Sequence, residues 1–209
     1  MYGLPDTTQV KKQLPKKAIY AKFGLKPSQR EGFDADVSRI DIVAVVSPAT
    51  IPAVAAGENI KEFYVLAVQL KRKDYAEKNI EMLSKLIPQN ILFALQYENQ
   101  TQLAVYHTKF ICSMWMPTDE MVITLSGLNL NTVWENIIKT VGKIQVQEGN
   151  TLAEQIAEDE ERVRTLKLIA ALEKRMAKET QPRKKRELFE QIKTLKKSTE
   201  QLLRITSPV

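Results

Sequence analysis

Apolar and polar positions change period several times along the chain, and each change predicts an element. "RIDIVAVVSP" is β-branched, apolar and stopped by Pro48, the pattern of a strand. "ATIPAVAAGENI" follows and is not a regular strand throughout, because Pro52 lacks a ladder donor and Gly57 and Asn59 allow a turn. "KEFYVLAVQLKRK" is almost continuously apolar, which predicts a longer strand in the middle of a sheet. In "YAEKNIEMLSKLIP" the period becomes helical: Ile80, Leu83, Leu86 and Ile87 share one face, and Pro88 lies just past the end. "NILFALQYENQTQLAVYHTKF" reads as a hairpin of two apolar strands around the polar "ENQTQ". "ICSMWMP" and "MVITLSG" predict two further edge or meander strands. "NLNTVWENIIKTVGKI" is a helix with Asn131 or Thr132 as its cap, Val133, Trp134, Ile137, Ile138 and Val141 on its apolar side, and Gly142 as its stop.

Ahead of these lie three shorter segments. "PDTTQVKKQLP" predicts a short capped helix ended by Pro15, and "PKKAIYAKFGL" a second one stopped by Gly24. "KPSQREGFDADVSR" is turn-rich, with room for one helical turn over Ser28–Phe33. The predicted fold is therefore α/β, with α+β as the neighbouring class: a mixed sheet with flanking helices over residues 1–149.

Residues 150–209 differ in kind. From Thr151 to about Leu203 there is no glycine, and charge is dense. Leu152, Ile156, Val163, Leu166, Ile169 or Ala170, and Leu172 or Met176 keep a helical stripe. After Pro182 it resumes at Leu188, Ile192, Leu195, Thr199 and Leu202, spaced by four, three, four and three, which is heptad spacing with one polar member. "KETQPRKK" is the break, because proline is accommodated in a first helical turn and not in a helix interior. The segment predicts a helical hairpin or coiled-coil arm, or one long rod kinked at the break, whose stripe at Leu188, Ile192, Leu195 and Leu202 either pairs within the chain, self-associates or recruits a protein partner.

Composition narrows the function classes. The chain is 44% hydrophobic, enough for a core. One cysteine, Cys112, and one histidine, His107, leave no disulfide framework and no cysteine- or histidine-rich metal site. A cysteine–histidine nucleophile would need these two brought together across a strand junction. There is no phosphate-binding glycine motif, so no nucleotide cofactor is expected. Nothing has the length of a signal peptide or a membrane span, which leads to the expectation of a cytoplasmic protein.

The formal charge is +6, with +2 over residues 1–149 and +4 over 150–209. Its densest basic run is "RKKRELFEQIKTLKK", residues 183–197, with seven basic and two acidic side chains. On a helix, Arg183, Lys184, Arg186, Lys193, Lys196 and Lys197 partly surround the apolar stripe and suit double-stranded DNA. The bland alternative is a solvated face with Glu187 and Glu190 as ion-pair partners. Lys11, Lys12, Lys16 and Lys17 form a second basic group, and a standalone DNA-binding module would join the two into one surface. Trp115, Trp134, Tyr97 and Tyr106 could stack on bases from an open sheet, although such residues more often pack in or beside a core. Met114, Trp115 and Met116 form an apolar knot that suits a docking edge.

One stretch raises catalysis. In "AVQLKRKDY", Gln69 and Lys71 stand two apart at a strand end, and Asp41 lies near the start of the preceding strand. A divalent-metal nuclease uses a carboxylate on one strand and an acid or amide two residues from a lysine on its neighbour. Mg²⁺ would take the oxygen ligands and the lysine would face the attacked phosphate. Gln69 is neutral, which leaves Asp41 as the one carboxylate unless the fold brings Glu31, Asp34 or Asp36 to its side, and strands commonly end in polar residues. The balance is against an enzyme, and Mg²⁺ enters only under this alternative.

The order of "GLPDTTQVKKQLPKKAIY", "FYVLAVQLK", "LIPQNILFALQY", "GLNLNTVWENII" and "IAALEKRMAKETQPRKKRELFEQIKTLKK" resembles the bacterial family DUF4391, a domain of unknown function, over nearly the whole chain. Genes of such proteins often lie beside those of helicases and DNA methyltransferases in defence islands. The resemblance implies an accessory role beside a DNA-processing partner of the restriction or phage-defence type, and it supplies neither a reaction nor catalytic residues; with the balance against an enzyme, the expected function is that of a non-catalytic accessory protein. Pro182 and the "RKKR" run depart from the family's usual pattern.

Overall fold

A computed structural model describes residues 1–205, with side chains described through Lys197. The chain divides into two compact units, Met1–Ile144 and Gln145–Val209. Each is described by itself.

The first unit is built on a mixed sheet. Strand β1 (Gln9–Gln13) pairs antiparallel with β2 (Val37–Val46), and β2 antiparallel with β3 (Phe63–Leu70). Next, β3 pairs parallel with β4 (Asn90–Tyr97), and β4 antiparallel with β5 (Gln100–Tyr106). Short β6 (Phe110–Cys112) and β7 (Met116–Pro117) both pair with β5. The central position expected of β3 is observed. Its parallel link to β4 runs through helix α3 (Glu77–Ser84), as a parallel crossover requires.

One face of the sheet lies under α1 (Lys16–Phe23), α2 (Pro27–Asp36) and α3. Leu66, Val68 and Leu70 of β3 meet Ile19, Phe33, Ile80 and Leu83 there in a single buried cluster. Helix α1 ends at Gly24, whose φ of 56° is the left-handed conformation glycine supplies at a helix stop. The opposite face carries α4 (Leu130–Gly142). Phe63 of β3 packs on Trp134 with ring centroids 5.2 Å apart, and Leu92 and Leu103 lie against Ile137 and Val141.

Several local expectations are corrected. The first segment is not a helix: a single 3₁₀ turn, Asp6–Thr8, leads straight into β1. Residues 9–13 make their backbone bonds with the open edge of β2, and this tertiary pairing overrides a weak local helix preference. Residues 27–36 form a full helix, more than the one turn expected. "MVITLSG" forms no strand, and the Ile123 N–H donates instead to Tyr2 O at 2.9 Å. The cap of α4 is Asn129, which accepts from Thr132 N, and α4 runs through Gly142 to end at Lys143, whose φ is 50°. Asn131 holds the preceding loop, accepting from Ile60 N at 3.0 Å.

The second unit is the C-terminal two-helix element: α5 (Leu152–Lys178) and α6 (Pro182–Ile205). Thr151 and Glu154 form a reciprocal capping box at the start of α5. Pro182 opens α6, where its missing N–H costs no intrahelical bond. The two helices pack through Ile169, Leu172 and Ile192, with Met176, Leu188 and Leu195 partly buried beside them. The expected hairpin is thus formed, and most of the α6 stripe is spent on it. The side chain of Leu202 lies outside the described residues.

Candidate functional site

Gln69 belongs to a polar row that crosses the sheet. Register sets Arg39 of β2 opposite Gln69, Gln69 opposite Gln96 of β4, and Gln96 opposite Thr101 of β5. Directly opposed residues project to the same face, so these side chains lie on the face that carries α4. Tyr2 closes over the row, accepting from Gln96 Nε2 at 2.5 Å, and burial pushes its hydroxyl up to about 12. Thr101 is hydrogen-bonded to Thr118 at 2.9 Å. Beside them opens a cleft of about 480 Å³ lined by Gln69, Gln96, Glu98, Asn99, Thr118 and Asp119.

The three residues considered for catalysis occupy different positions. Asp41 shares the face of Gln69, but it stands opposite Ala67, one diagonal step away. The place across from Gln69 is taken by Arg39, whose guanidinium pairs with Asp41 at 2.7 Å. Lys71 lies beyond the last paired residue of β3, where its N–H donates to Asp36 O at 2.8 Å. Its ammonium is close enough to Asp34 of α2 to help lower that carboxyl. A cation therefore stands where a second metal-binding carboxylate would be needed. Among the described residues no cluster of three or more His, Cys, Asp or Glu could hold a metal ion. As ligands for Mg²⁺, Asp41, Gln69 and Lys71 supply one carboxylate, and Arg39 already pairs with it.

A neighbouring node is structural. Asp36, at the end of α2, has a side chain only 1% exposed. It accepts from Arg72 at 2.6 Å, from Ala76 N at 2.9 Å and from Asn79 at 2.7 Å. Burial alone would raise this carboxyl, but these donors outweigh it and hold it below the usual aspartate range. The same pattern holds for Asp34, bonded by Lys16 and Tyr20 at 2.6 Å each. Lys16, one of the four N-terminal lysines considered for DNA, is thus committed to Asp34 and to Val37 O. Lys11 and Lys12 are exposed on the edge strand β1, and Lys17 is exposed on α1. Charge on an edge strand also blocks unwanted strand pairing.

On α6, all six basic residues considered for DNA are exposed, but not equivalent. Arg183 pairs with Glu187 at 3.4 Å along the helix, and Lys196 pairs with Glu173 of α5 at 2.7 Å across the hairpin. Arg186, Lys193 and Lys197 stand at i, i+7 and i+11, within about 40° of one another at 3.6 residues per turn. They form a basic line on one flank of α6. Farther around α6, a shallow groove of about 520 Å³ is lined by Leu168, Leu172, Glu190, Gln191, Thr194 and Leu195, with Glu190 bordering the basic line. The N-terminal lysines and the α6 residues belong to different units.

Trp134 is buried in the core, and Trp115 is half-buried with Lys73 Nζ 5.3 Å from its ring centroid. His107 is exposed in the β5–β6 turn, and Cys112 is exposed on β6 with its thiol pushed up by burial and by Glu77. Arg39 and Gln96 were missed in the sequence because only strand register brings them to Gln69. The alternation of "RIDIVAVV" was the available signal for Arg39, obscured by irregularities between Val37 and Arg39 and between Ile42 and Ala44.

No curated protein and no solved structure matches the chain. The family model of DUF4391, Domain of unknown function, matches residues 2–198, so the chain belongs to that family.

Proposed function

We propose that this protein is a non-catalytic accessory component of a cytoplasmic DNA-processing assembly of the restriction or phage-defence type, and that it contacts double-stranded DNA through α6. The observation that carries this reading is the exposed line of Arg186, Lys193 and Lys197. Eleven residues of helix span about 16 Å, the length of about five phosphates along one strand. Three cations on one flank would release counterions from that run of backbone, giving affinity without sequence preference. The protein partner is a helicase or DNA methyltransferase, the neighbours that the family resemblance implies. The test is binding of the full chain to labelled duplex DNA across a salt series. The reading requires binding that weakens with salt and is much weaker, with a shallower salt dependence, in the Arg186→Ala, Lys193→Ala, Lys197→Ala triple variant.

A second reading, a metal-dependent nuclease, is favoured by Asp41 and Gln69 sharing one sheet face. It requires Mg²⁺-dependent cleavage that disappears in both Asp41→Ala and Lys71→Ala. The Arg39–Asp41 ion pair stands against it.

A further inference from the structure

Three residues on α5 are spaced so that a second copy of the chain can answer them. Glu161, Leu168 and Arg175 stand at seven-residue intervals and are all exposed, so they form one line along the helix. An acid lies seven residues before the leucine and a base seven residues after it, each about 10 Å away along the axis. Rotation by 180° about an axis through Leu168 carries Glu161 onto the level of Arg175 and Arg175 onto that of Glu161. The pattern is self-complementary, which is the defining property of an isologous interface.

The surroundings repeat this arrangement at larger scale. Residues 154–161 hold five acidic side chains and no basic one. Residues 174–186, around the connection to α6, hold seven basic side chains and one acidic one. Two hairpins lying side by side in the same direction would set like charges against each other along their length. Turned end to end, they oppose base to acid at both ends. Between the charged ends, Leu168 is 49% exposed and borders the groove completed by Leu172 and Leu195. The apolar contact therefore falls where the two-fold axis passes.

We infer that the groove between α5 and α6 receives the same groove of a second copy, forming an antiparallel four-helix dimer centred on Leu168 and flanked by two Glu161–Arg175 pairs. The basic line of Arg186, Lys193 and Lys197 is centred about 80° or more around α6 from the groove residues Thr194, Gln191 and Leu195, with Glu190 between the two. The inference therefore stands whether or not the chain binds DNA. Its partner is chosen by charge order: a heterologous helix would not need an acid and a base equally spaced about one leucine.

The experiment is sedimentation equilibrium of the full chain and of three variants at low and high salt. The wild type is expected at twice the 23.8 kDa chain mass, with a dissociation constant that rises with salt. Leu168→Asp should raise that constant about 30-fold or more, as loss of a central side chain does. Leu168 is outside the buried seam of Ile169, Leu172 and Ile192, so the helix content read by circular dichroism should be unchanged. Glu161→Arg should weaken the dimer about tenfold, and Glu161→Arg with Arg175→Glu should restore it. A wild-type chain that is monomeric throughout, a dimer indifferent to Leu168→Asp, or a double variant no tighter than Glu161→Arg alone would each overturn the inference. If Leu168→Asp lowers helix content, the charge-exchange pair alone decides.

Discussion

Asp36 shows how one side chain can hold several elements. Its carboxylate ties the end of α2 to Arg72 and to Ala76 and Asn79 at the start of α3. Asp36→Asn should lower unfolding free energy by about 2 kcal/mol, the scale of lost charge-assisted bonds at a buried site, as read by urea denaturation. Because the carboxyls of Asp34 and Asp36 are held below their unfolded values, their contribution is complete above about pH 4 and is lost as the pH falls further, through the folded values. Asp36→Asn should flatten that acid limb; an unchanged limb would remove Asp36 from its cause. Gly57 carries a different constraint. A Cβ there would stand 2.0 Å from Asn131 Oδ1, so Gly57→Ala should destabilise the unit by about 1–3 kcal/mol in the same assay. Neither constraint was legible in the sequence. Asp36 read as a polar residue in a turn-rich stretch and a spare carboxylate for a metal site, and Asn131 as a helix cap, because their partners lie 36 or more residues away.

Elements with strong internal periodicity were legible. Strands β2 to β5 and helices α3, α4, α5 and α6 could be read from apolar spacing, proline and caps, because burial of one face or both dictates those residues. What failed were short segments whose structure depends on a neighbour. β1 is a strand because the edge of β2 is open to it, and "MVITLSG" is β-branched but has no adjacent strand to join. The hairpin follows the same physics: among the described residues α6 is polar over most of its surface, and its stripe at Leu188, Ile192 and Leu195 packs against α5. Ile192→Ala should therefore cost about 2–3 kcal/mol of hairpin stability and lower its melting temperature by helical circular dichroism. The near-ultraviolet signal of Trp115 and Trp134 in the first unit should keep its wild-type melting temperature. Simultaneous loss of both signals would show that the hairpin is not a separate cooperative element.

The chain as a whole combines a sheet unit, in which Arg39 stands opposite Gln69 and pairs with Asp41, with a hairpin that carries a basic line along one face of α6. No helix among the described residues is long and apolar enough to cross a membrane. Charge density alone marked α6 as basic, but the useful distinction came from geometry. Arg183 and Lys196 have acidic partners in the hairpin, while Arg186, Lys193 and Lys197 align on one exposed flank. That line is the basis of the accessory DNA-binding account, and its most direct test is a salt titration of duplex binding in the presence of Mg²⁺. The wild type would be compared with the Arg186→Ala, Lys193→Ala, Lys197→Ala variant, and the DNA recovered on a gel. The account predicts intact DNA, wild-type binding that weakens with salt, and a log–log slope reduced by about 2.7 in the variant, from about 0.9 for each lost phosphate contact. Equal affinity and slope for the two proteins, or DNA cut in an Asp41-dependent manner, would contradict it.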